Sequence, residues 1–300
     1  MNRKKYPGER LLSFTSVTLV AILLFCSIVA LGQDTGNLNL SATYSEADMS
    51  SILLHFQADV QGSLTDLDSD VADAAQGLST TGLEGDAARE VLSKLLETNS
   101  NLVEASTFSK EGKIIVAECR ECEGSEGADI SSQEIVANFL KTKTPTFSKL
   151  LLLAEGYNGT VLEYPVISQQ GDFLGGTSAI IEPDKLLDRL ASPLLHFNES
   201  TQSNTTDYTF WVMDLDGLLL YDEDSSQIGR NLLKDPLYES FPSLLELVEQ
   251  RIMTERSGHG SYSFFQDTGG NKAEVTKECY WTTTGLHGTE WRLVINKVVQ

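Results

Sequence analysis

The chain has 300 residues, of which 41% are hydrophobic, and its formal net charge is -21 at pH 7. This length suffices for one large or two ordinary domains, and the hydrophobic content suffices for a buried core. A surface this acidic repels nucleic acid and anionic lipid, so we expect no nucleic-acid partner.

The first 32 residues are basic and then apolar. Residues 2–10 carry four basic side chains against one glutamate, and residues 11–32 contain no charged side chain. As a helix, residues 11–32 are about 33 Å long, which is enough to span a bilayer. The pattern predicts a signal peptide or a membrane anchor, and the basic flank places the residues that follow outside the cytoplasm.

A long amphipathic helix is predicted to begin near Ser45. Its apolar residues recur at steps of three and four, the spacing of one helical stripe. The stripe consists of Leu53, Phe56, Val60, Leu64, Leu67, Val71, Ala74 and Leu78. The glycine-containing residues 77–85 are predicted to end this helix, and residues 86–98 have the pattern of a second helix.

The remainder of the chain contains two copies of one element order, which indicates an internal repeat. Each copy has a strand, a turn that ends in Gly112 or Gly217, a second strand, a helix and three further strands. The predicted fold class is therefore α+β: a long N-terminal helix and two PAS-like units, each an antiparallel five-stranded sheet with helices on one face. The predicted boundaries are 1–32 for the signal peptide or anchor, 42–190 for the first unit with the long helix, 191–206 for a polar linker and 207–300 for the second unit.

An Asp-x-Asp-Gly sequence, Asp214 to Gly217, follows an apolar strand in the second copy. A haloacid dehalogenase-type phosphatase presents its nucleophilic aspartate in this way, but it needs later acidic residues for magnesium. No later Asp-Asp or Gly-Asp-x-x-x-Asp sequence occurs, and Leu218 replaces the usual threonine. The enzyme hypothesis therefore lacks its partners, and we expect no catalytic residues.

The same segment is rich in carboxylates, which raises calcium binding as a second hypothesis. An EF-hand loop that begins at Asp222 would have Gln227 in place of its glycine and Leu233 in place of its closing glutamate. Asp-Gly between alternating apolar runs is instead a strong hairpin signal, because Gly adopts positive φ and Asp caps its own turn. We predict a hairpin at this position.

Three cysteines follow the N-terminal segment, namely Cys119, Cys122 and Cys279. In an oxidising compartment, Cys119 and Cys122 are candidates for a disulfide, with free thiols as the alternative. As a zinc half-site they lack a second pair of ligands at suitable spacing. We therefore expect no metal and no other cofactor.

Two stretches carry a resemblance to a known family. They are "YPVISQQGDFLGGTSAIIEPDKLL", residues 164–187, and "VMDLDGLLLYDEDSSQIGRNLLKDP", residues 212–236. Together with the long helix, they make residues 42–298 resemble the double Cache family, PAS-like extracytoplasmic sensor modules. The resemblance implies a membrane-distal first unit and a proximal second unit. It also implies that a small molecule binds between a sheet and its covering elements and shifts the long helix in signal transduction.

The resemblance also sets expectations about partners. Typical members continue into an output domain, whereas this sequence ends at Gln300, directly after its last predicted strand. We therefore expect a separate membrane signalling protein as partner, or a stand-alone binding protein, with a homodimer through the long helix as a further expectation. Cell-surface localisation is expected, either anchored or secreted.

Candidate ligand-binding residues follow from position in this resemblance. In the first unit, polar and aromatic side chains interrupt apolar strands at Phe147, Ser148, Lys149, Tyr157, Tyr164, Thr177 and Ser178. Lys149 is the residue predicted to meet an anionic group. The alternative for each is an ordinary place in the core or on the surface.

A second set of candidates lies in the second unit and consists of Arg230, Asn231, Tyr262, Lys277 and Trp281. The alternatives here are an ion pair of Arg230 with Asp222 or Asp224, and a packing role for Trp281.

The ligand itself is left open. Amino-acid-binding family members carry Tyr, Arg, Trp and Asp before the distal sheet. Residues 118–145 contain Arg120 and Asp129 but neither Tyr nor Trp, so the resemblance does not predict an amino acid. A structural or adhesive surface protein is the alternative function, and an enzyme is the third.

Overall fold

The computed structural model describes residues 40–120, 125–153, 157–196, 208–267 and 272–299. The predicted signal peptide or anchor lies outside these residues, as does most of the predicted linker. Contacts group Ala42–Gln300 into one compact unit. Within the described ranges, none of the helices combines the length and the apolar character needed to cross a membrane.

The structure contains five α-helices and two antiparallel sheets in these ranges. The helices are α1 Leu40–Thr81, α2 Gly85–Thr98, α3 Glu134–Thr142, α4 Pro183–His196 and α5 Pro242–Leu247. The strands of the first sheet are β1 Leu102–Ser109, β2 Ile114–Cys119, β3 Thr146–Phe147, β4 Leu151–Leu152, β5 Asn158–Ile167 and β6 Phe173–Ile181. The strands of the second sheet are β7 Tyr208–Asp214, β8 Leu219–Asp222, β9 Gly258–Asp267, β10 Lys272–Leu286 and β11 Thr289–Val299.

The long first helix forms as the apolar stripe predicts. All eight predicted stripe residues are buried, from Leu53 to Leu78. The predicted break between Gly77 and Gly85 is confirmed, since α1 ends at Thr81, Gly82 has a φ of +86° and α2 begins at Gly85. Gly77 lies inside α1, where a glycine costs about 1 kcal/mol, and burial of the adjacent Leu78 outweighs that cost.

Both sheets have the same strand order, which confirms the predicted repeat. The first is ordered β2-β1-β6-β5-β3, with β4 added on β5, and the second is ordered β8-β7-β11-β10-β9. The first sheet therefore has six strands rather than five. Two short strands, β3 and β4, replace the predicted single strand after α3, and between them the Ser148 Oγ accepts a hydrogen bond from the Val161 amide (2.9 Å).

The Asp-x-Asp-Gly sequence forms the predicted hairpin. β7 pairs with β8, and the Asp214 Oδ1 atom accepts hydrogen bonds from the amides of Asp216 (2.8 Å) and Leu218 (3.0 Å). Gly217 supplies the positive φ of the turn (83°). The carboxylate of Asp214 thus holds the turn, in the manner of an Asx-turn.

Short helical pieces cover one face of the second sheet. The predicted continuous helix after β8 consists of a 3₁₀ helix Pro236–Ser240, the α-helix α5 and a π-helical turn Val248–Ile252. Pro242 explains the division, because proline starts a helix well but cannot continue one.

One hydrophobic core joins α1 to both sheets. Phe56 of α1 packs against Phe210 of β7, with ring centroids 4.6 Å apart, and Phe147 of β3 packs against Trp291 of β11 at 5.6 Å. Two smaller clusters lie on the opposite faces of the sheets, under α3 and under α5. The boundaries of the two units stay a prediction, although α4 continues to His196, into the predicted linker.

Candidate functional site

The first sheet has a polar row on the face that points away from α1. Ser106 of β1 is directly opposite Ser178 of β6, and Ser178 is directly opposite Glu163 of β5. The hydroxyl oxygens of Ser106 and Ser178 are 2.7 Å apart. The next row on this face contains Glu104, opposite Ile180. All four polar side chains are buried.

Glu163 is the most unusual member of this row. It is only 1% exposed, and its Oε2 atom has no hydrogen-bond partner. Burial raises the pKa of the Glu163 carboxyl from its usual value to about 8, because the charged form is poorly solvated there. A buried polar atom without a partner costs free energy unless a bound group satisfies it, which marks this face as a candidate ligand site.

Two of the predicted site residues lie on the opposite face, towards α1. Thr177 and Tyr164 are directly opposite each other in β6 and β5. The Tyr164 hydroxyl donates to Asp68 Oδ1 of α1 (2.5 Å), and His287 Nε2, in the β10–β11 turn, is 2.6 Å from the same oxygen. The Thr177 hydroxyl donates to the Ser106 carbonyl (2.9 Å). These contacts join the first sheet, α1 and the second sheet.

The remaining first-unit candidates occupy three different environments. The Lys149 ammonium pairs with the Asp216 carboxylate at the β7–β8 turn, and both side chains are about half exposed. Phe147 belongs to the core, and Ser148 donates its hydroxyl hydrogen to the Lys149 carbonyl (2.6 Å). Tyr157 lines a separate surface cavity that also contains Arg120. The first-unit candidates therefore do not converge on one pocket, and Ser178 is the one that lies in the row with Glu163.

A cavity of about 250 Å³ lies in the second unit, between the sheet and its helical cover. Its lining includes two of the predicted residues, Tyr262 and Lys277, together with Asp222 and Glu223 of the β8 end. Burial raises the pKa of Asp222 to about 6 and that of Glu223 to about 7, and burial lowers the pKa of Lys277. The cavity thus contains two acidic groups and one lysine, and the attraction between them does not offset the cost of burying their charges.

The other second-unit candidates hold local structure outside this cavity. Arg230 forms an ion pair with Asp235 (2.8 Å). The predicted ion pair of Arg230 with Asp222 or Asp224 was therefore wrong. The Asn231 side-chain amide donates to the Asp216 carbonyl (2.8 Å). Trp281 is a buried core residue whose Nε1 donates to the Glu255 carbonyl (3.2 Å).

The cysteine and metal predictions have different outcomes. Cys119 is disulfide-bonded, whereas Cys122 lies outside the described residues, so the pairing of these two stays a prediction. Cys279 is a free and buried thiol whose pKa is raised to about 12 by burial. Among the described side chains, no group of three or more His, Cys, Asp or Glu residues is arranged to hold a metal ion.

Comparisons with known proteins address the class of the domain. Residues 62–183 match the family model "HK/GC/Chemotaxis protein-like, sensor domain". No curated protein matches the chain. An extracellular ligand-binding receptor from Desulfohalobium retbaense has a similar structure, with a TM-score of 0.67 and 27% identity over 83% of this chain. This chain covers 40% of that receptor's length.

Two chemoreceptor domains share the fold at lower identity. The ligand-binding domain of the Pseudomonas aeruginosa amino acid chemoreceptor PctB, in complex with L-Arg, has a TM-score of 0.58 at 14% identity. The alignment covers 87% of this chain and 95% of that domain. The ligand-binding domain of the Campylobacter jejuni chemoreceptor Tlp3, in complex with L-norvaline, has a TM-score of 0.58 at 12% identity, over 90% and 96% of the two chains.

The chain has the double Cache fold. The family model and the structures confirm the resemblance found in the sequence, since the model describes a sensor domain and the structure from Desulfohalobium retbaense is that of a ligand-binding receptor. In this chain α1 packs against both sheets within one buried cluster.

Sequence reasoning missed the most distinctive residues of this domain. Glu163 and Glu104 were not among the predicted ligand-binding residues, although each is a charged side chain within an otherwise apolar strand. That interruption was the available signal, since charged residues are almost never fully buried without a partner. Asp222 and Glu223 were considered as calcium ligands, and Asp222 also as a partner of Arg230, but not as ligand-binding residues, because their relation to Lys277 depends on strand pairing.

Proposed function

We propose that this domain is an extracytoplasmic sensor that binds a small molecule with an amino group on the polar face of the first sheet. The observation that supports this most directly is the buried Glu163 carboxyl with its unpartnered Oε2. A ligand ammonium group would donate to that oxygen and stabilise the carboxylate form. The hydroxyls of Ser106 and Ser178 provide further hydrogen-bonding groups in the same row.

Charge favours an amine over a carboxylate ligand at this face. Glu104 lies on the same face as Glu163, in the neighbouring row, and both are buried acidic residues. In a low-dielectric environment an ammonium group stabilises the ionised form of a buried carboxyl, whereas an anion is repelled by that form. The ligands in the PctB and Tlp3 structures, L-Arg and L-norvaline, also carry an amino group.

In this proposal the domain binds its ligand without converting it. Asp214, the residue that a phosphatase would use as nucleophile, accepts two backbone hydrogen bonds that hold its turn. A carboxylate oxygen engaged in this way is a structural group, and the magnesium-binding residues of such an enzyme are missing from the sequence.

The proposed signal passes through α1 to a separate membrane protein. α1 contacts both sheets, so a ligand that favours one position of the first sheet will bias the position of the helix. A homodimer through α1, and attachment to the membrane or secretion by way of residues 1–32, belong to the same proposal. The ligand-contact roles predicted for Phe147, Lys149, Tyr157, Tyr164 and Thr177 stay predictions.

The test is thermal unfolding of the purified full chain in mild detergent with a panel of small amines, carboxylates and purines. We expect an amine to stabilise the chain, by about 2.7 kcal/mol at 100 times its dissociation constant. The stabilisation should be smaller in Glu163→Gln than in the wild type and kept in full in Glu97→Gln, which changes an exposed glutamate of α2 in the same way. Stabilisation by carboxylates only, or by amines equally in both variants, would contradict the proposal.

The pH dependence of binding gives an independent check. Because the unliganded Glu163 carboxyl has a pKa of about 8, an ammonium ligand must displace its proton at lower pH. Affinity should therefore rise about tenfold per pH unit between roughly pH 6 and 8 and then level off. Calorimetry in buffers of different ionisation enthalpy should show release of about one proton per ligand at pH 6.5.

A further inference from the structure

The cavity in the second unit is the feature that the proposed function leaves unused. It lies between the second sheet and its cover, on the face away from α1, where Trp211, Tyr262 and Phe264 supply aromatic walls. Its volume of about 250 Å³ is suited to a small molecule. The cavity therefore occupies the place in the second unit that the Glu163 row occupies in the first.

Two acidic side chains at one end of the cavity are held in fixed positions. Glu223 Oε1 accepts a hydrogen bond from the Phe210 amide (2.7 Å), and Asp222 Oδ1 accepts one from the Asp224 amide (2.9 Å). In the described part of the chain, these bonds occupy one oxygen of each carboxylate. The second oxygens are the groups that a ligand can use.

Among the described residues that line the cavity, Lys277 is the one cation beside these two carboxylates. The Lys277 ammonium lies over the ring of Phe264, 5.3 Å from its centroid, and attracts both Asp222 and Glu223. Burial nevertheless keeps the pKa of Asp222 at about 6 and that of Glu223 at about 7, so one lysine compensates the pair only in part. One additional positive charge would bring the three groups to neutrality.

Asp224 does not change this balance. It lies at the exposed rim, where its carboxylate accepts hydrogen bonds from the Ser226 amide (3.0 Å) and the Gln227 side chain (3.2 Å). These bonds lower its pKa, and the nearby Arg230 guanidinium adds to the effect. The charge that needs a partner is therefore that of Asp222 and Glu223.

We propose that this cavity is a second ligand site, separate from the Glu163 row, and that it takes a small primary amine with an apolar body. The ammonium group would lie at Asp222 and Glu223, and the apolar body would lie against Trp211, Tyr262 and Phe264. Aromatic faces favour a cation and bury apolar surface at the same time. A carboxylate on the ligand would be repelled by the same two acidic residues.

The test uses the full chain labelled with 5-fluorotryptophan. The sequence has three tryptophans, and Trp211 lines the cavity, whereas Trp291 lies in the core towards α1 and serves as the internal reference. The probes are n-butylamine and phenethylamine, with 2-phenylethanol and 3-phenylpropionate as matched neutral and anionic compounds. At pH 8, where both carboxylates are ionised, we expect the amines alone to shift the Trp211 resonance saturably.

Substitutions connect the shift to the acidic pair and separate the two sites. Asp222→Asn combined with Glu223→Gln should weaken amine binding at least roughly tenfold, because the charge is lost while the shape is kept. Glu163→Gln should leave the Trp211 response unchanged, so this proposal and the proposed function fail independently. Lys277→Met should strengthen amine binding, since it removes an ammonium group that competes for the two carboxylates. A misfolded variant would not bind more tightly, so this result also serves as a control for folding.

Three outcomes would overturn the second site. The first is no saturable Trp211 shift with any amine up to about 10 mM, a concentration that would detect even very weak binding. The second is equal binding of 2-phenylethanol and phenethylamine. The third is unchanged amine affinity in the folded double variant, which would show that the acidic pair makes no contribution.

Discussion

At the scale of single residues, Glu163 combines full burial with an unpartnered oxygen. A protonated carboxyl is tolerated there, whereas a carboxylate is not, which is why the pKa rises to about 8. This arrangement lowers the free energy of unfolding of the unliganded domain. Binding sites commonly carry such local destabilisation, because the ligand supplies the missing interaction.

Glu163 should make the unliganded domain less stable as pH rises. Its pKa is near 4.5 when unfolded and about 8 when folded, so the folded state binds more protons between these values and stability falls across this window. Replacement by Gln removes this dependence and should raise stability at pH 8 by on the order of 1–3 kcal/mol. Urea unfolding at pH 5, 6.5 and 8 measures the effect. The Glu97→Gln control should follow the wild type, and an unchanged slope in Glu163→Gln would contradict the expectation.

At the scale of elements, the β7–β8 hairpin shows how one side chain fixes a turn. Asp214 is 3% exposed and uses one oxygen for two amides, while Gly217 provides the positive φ. Lys149 reaches this turn from the loop between β3 and β4 and pairs with Asp216. Since both partners of that ion pair are about half exposed, we expect it to contribute little to stability.

Replacement of Asp214 distinguishes a turn residue from a nucleophile. Asp214→Asn keeps one acceptor oxygen and should change the free energy of unfolding by less than about 1 kcal/mol, whereas Asp214→Ala removes the acceptor and should cost about 1–2 kcal/mol. Urea unfolding measures both, and ligand-induced stabilisation should persist in Asp214→Asn. Phosphatase activity in the wild type that disappears in Asp214→Asn would refute the turn assignment.

At the scale of the whole molecule, α1 is the element on which both sheets depend. Its stripe, β1, β5 and β6 of the first sheet and β7 and β11 of the second contribute to one buried cluster. The contact of Tyr164 and His287 with Asp68 adds a polar link between the same three parts. A shared core of this kind predicts that the two sheets unfold together.

Phe56 should contribute to both sheets, because it is fully buried against Phe210. Phe56→Ala should cost about 3–5 kcal/mol, through lost transfer free energy and the cavity left behind. Leu54→Ala, on the exposed side of α1 with Leu54 58% exposed, should stay within about 0.5 kcal/mol of the wild type. Calorimetry and circular dichroism should show one coincident transition in every variant, and two separate transitions would refute the common core.

The sequence by itself determined the features that depend on local periodicity and turn chemistry. The stripe of α1, the two-copy element order and the Asp214 hairpin are all encoded within short windows, where spacing sets which face is buried. The resemblance to double Cache domains was visible for the same reason, since its motifs are turns and strand ends. Two of the five predicted second-unit residues, Tyr262 and Lys277, line one cavity.

Tertiary structure alone decided which residues meet. Ser106 and Ser178 are 72 positions apart in sequence, and only the pairing of β1 with β6 brings them together beside Glu163. Neighbouring positions in a strand point to opposite faces, so Thr177 faces α1 whereas Ser178 faces the candidate site. Composition marks such side chains as unusual, but only the register of long-range pairing assigns each one to a face.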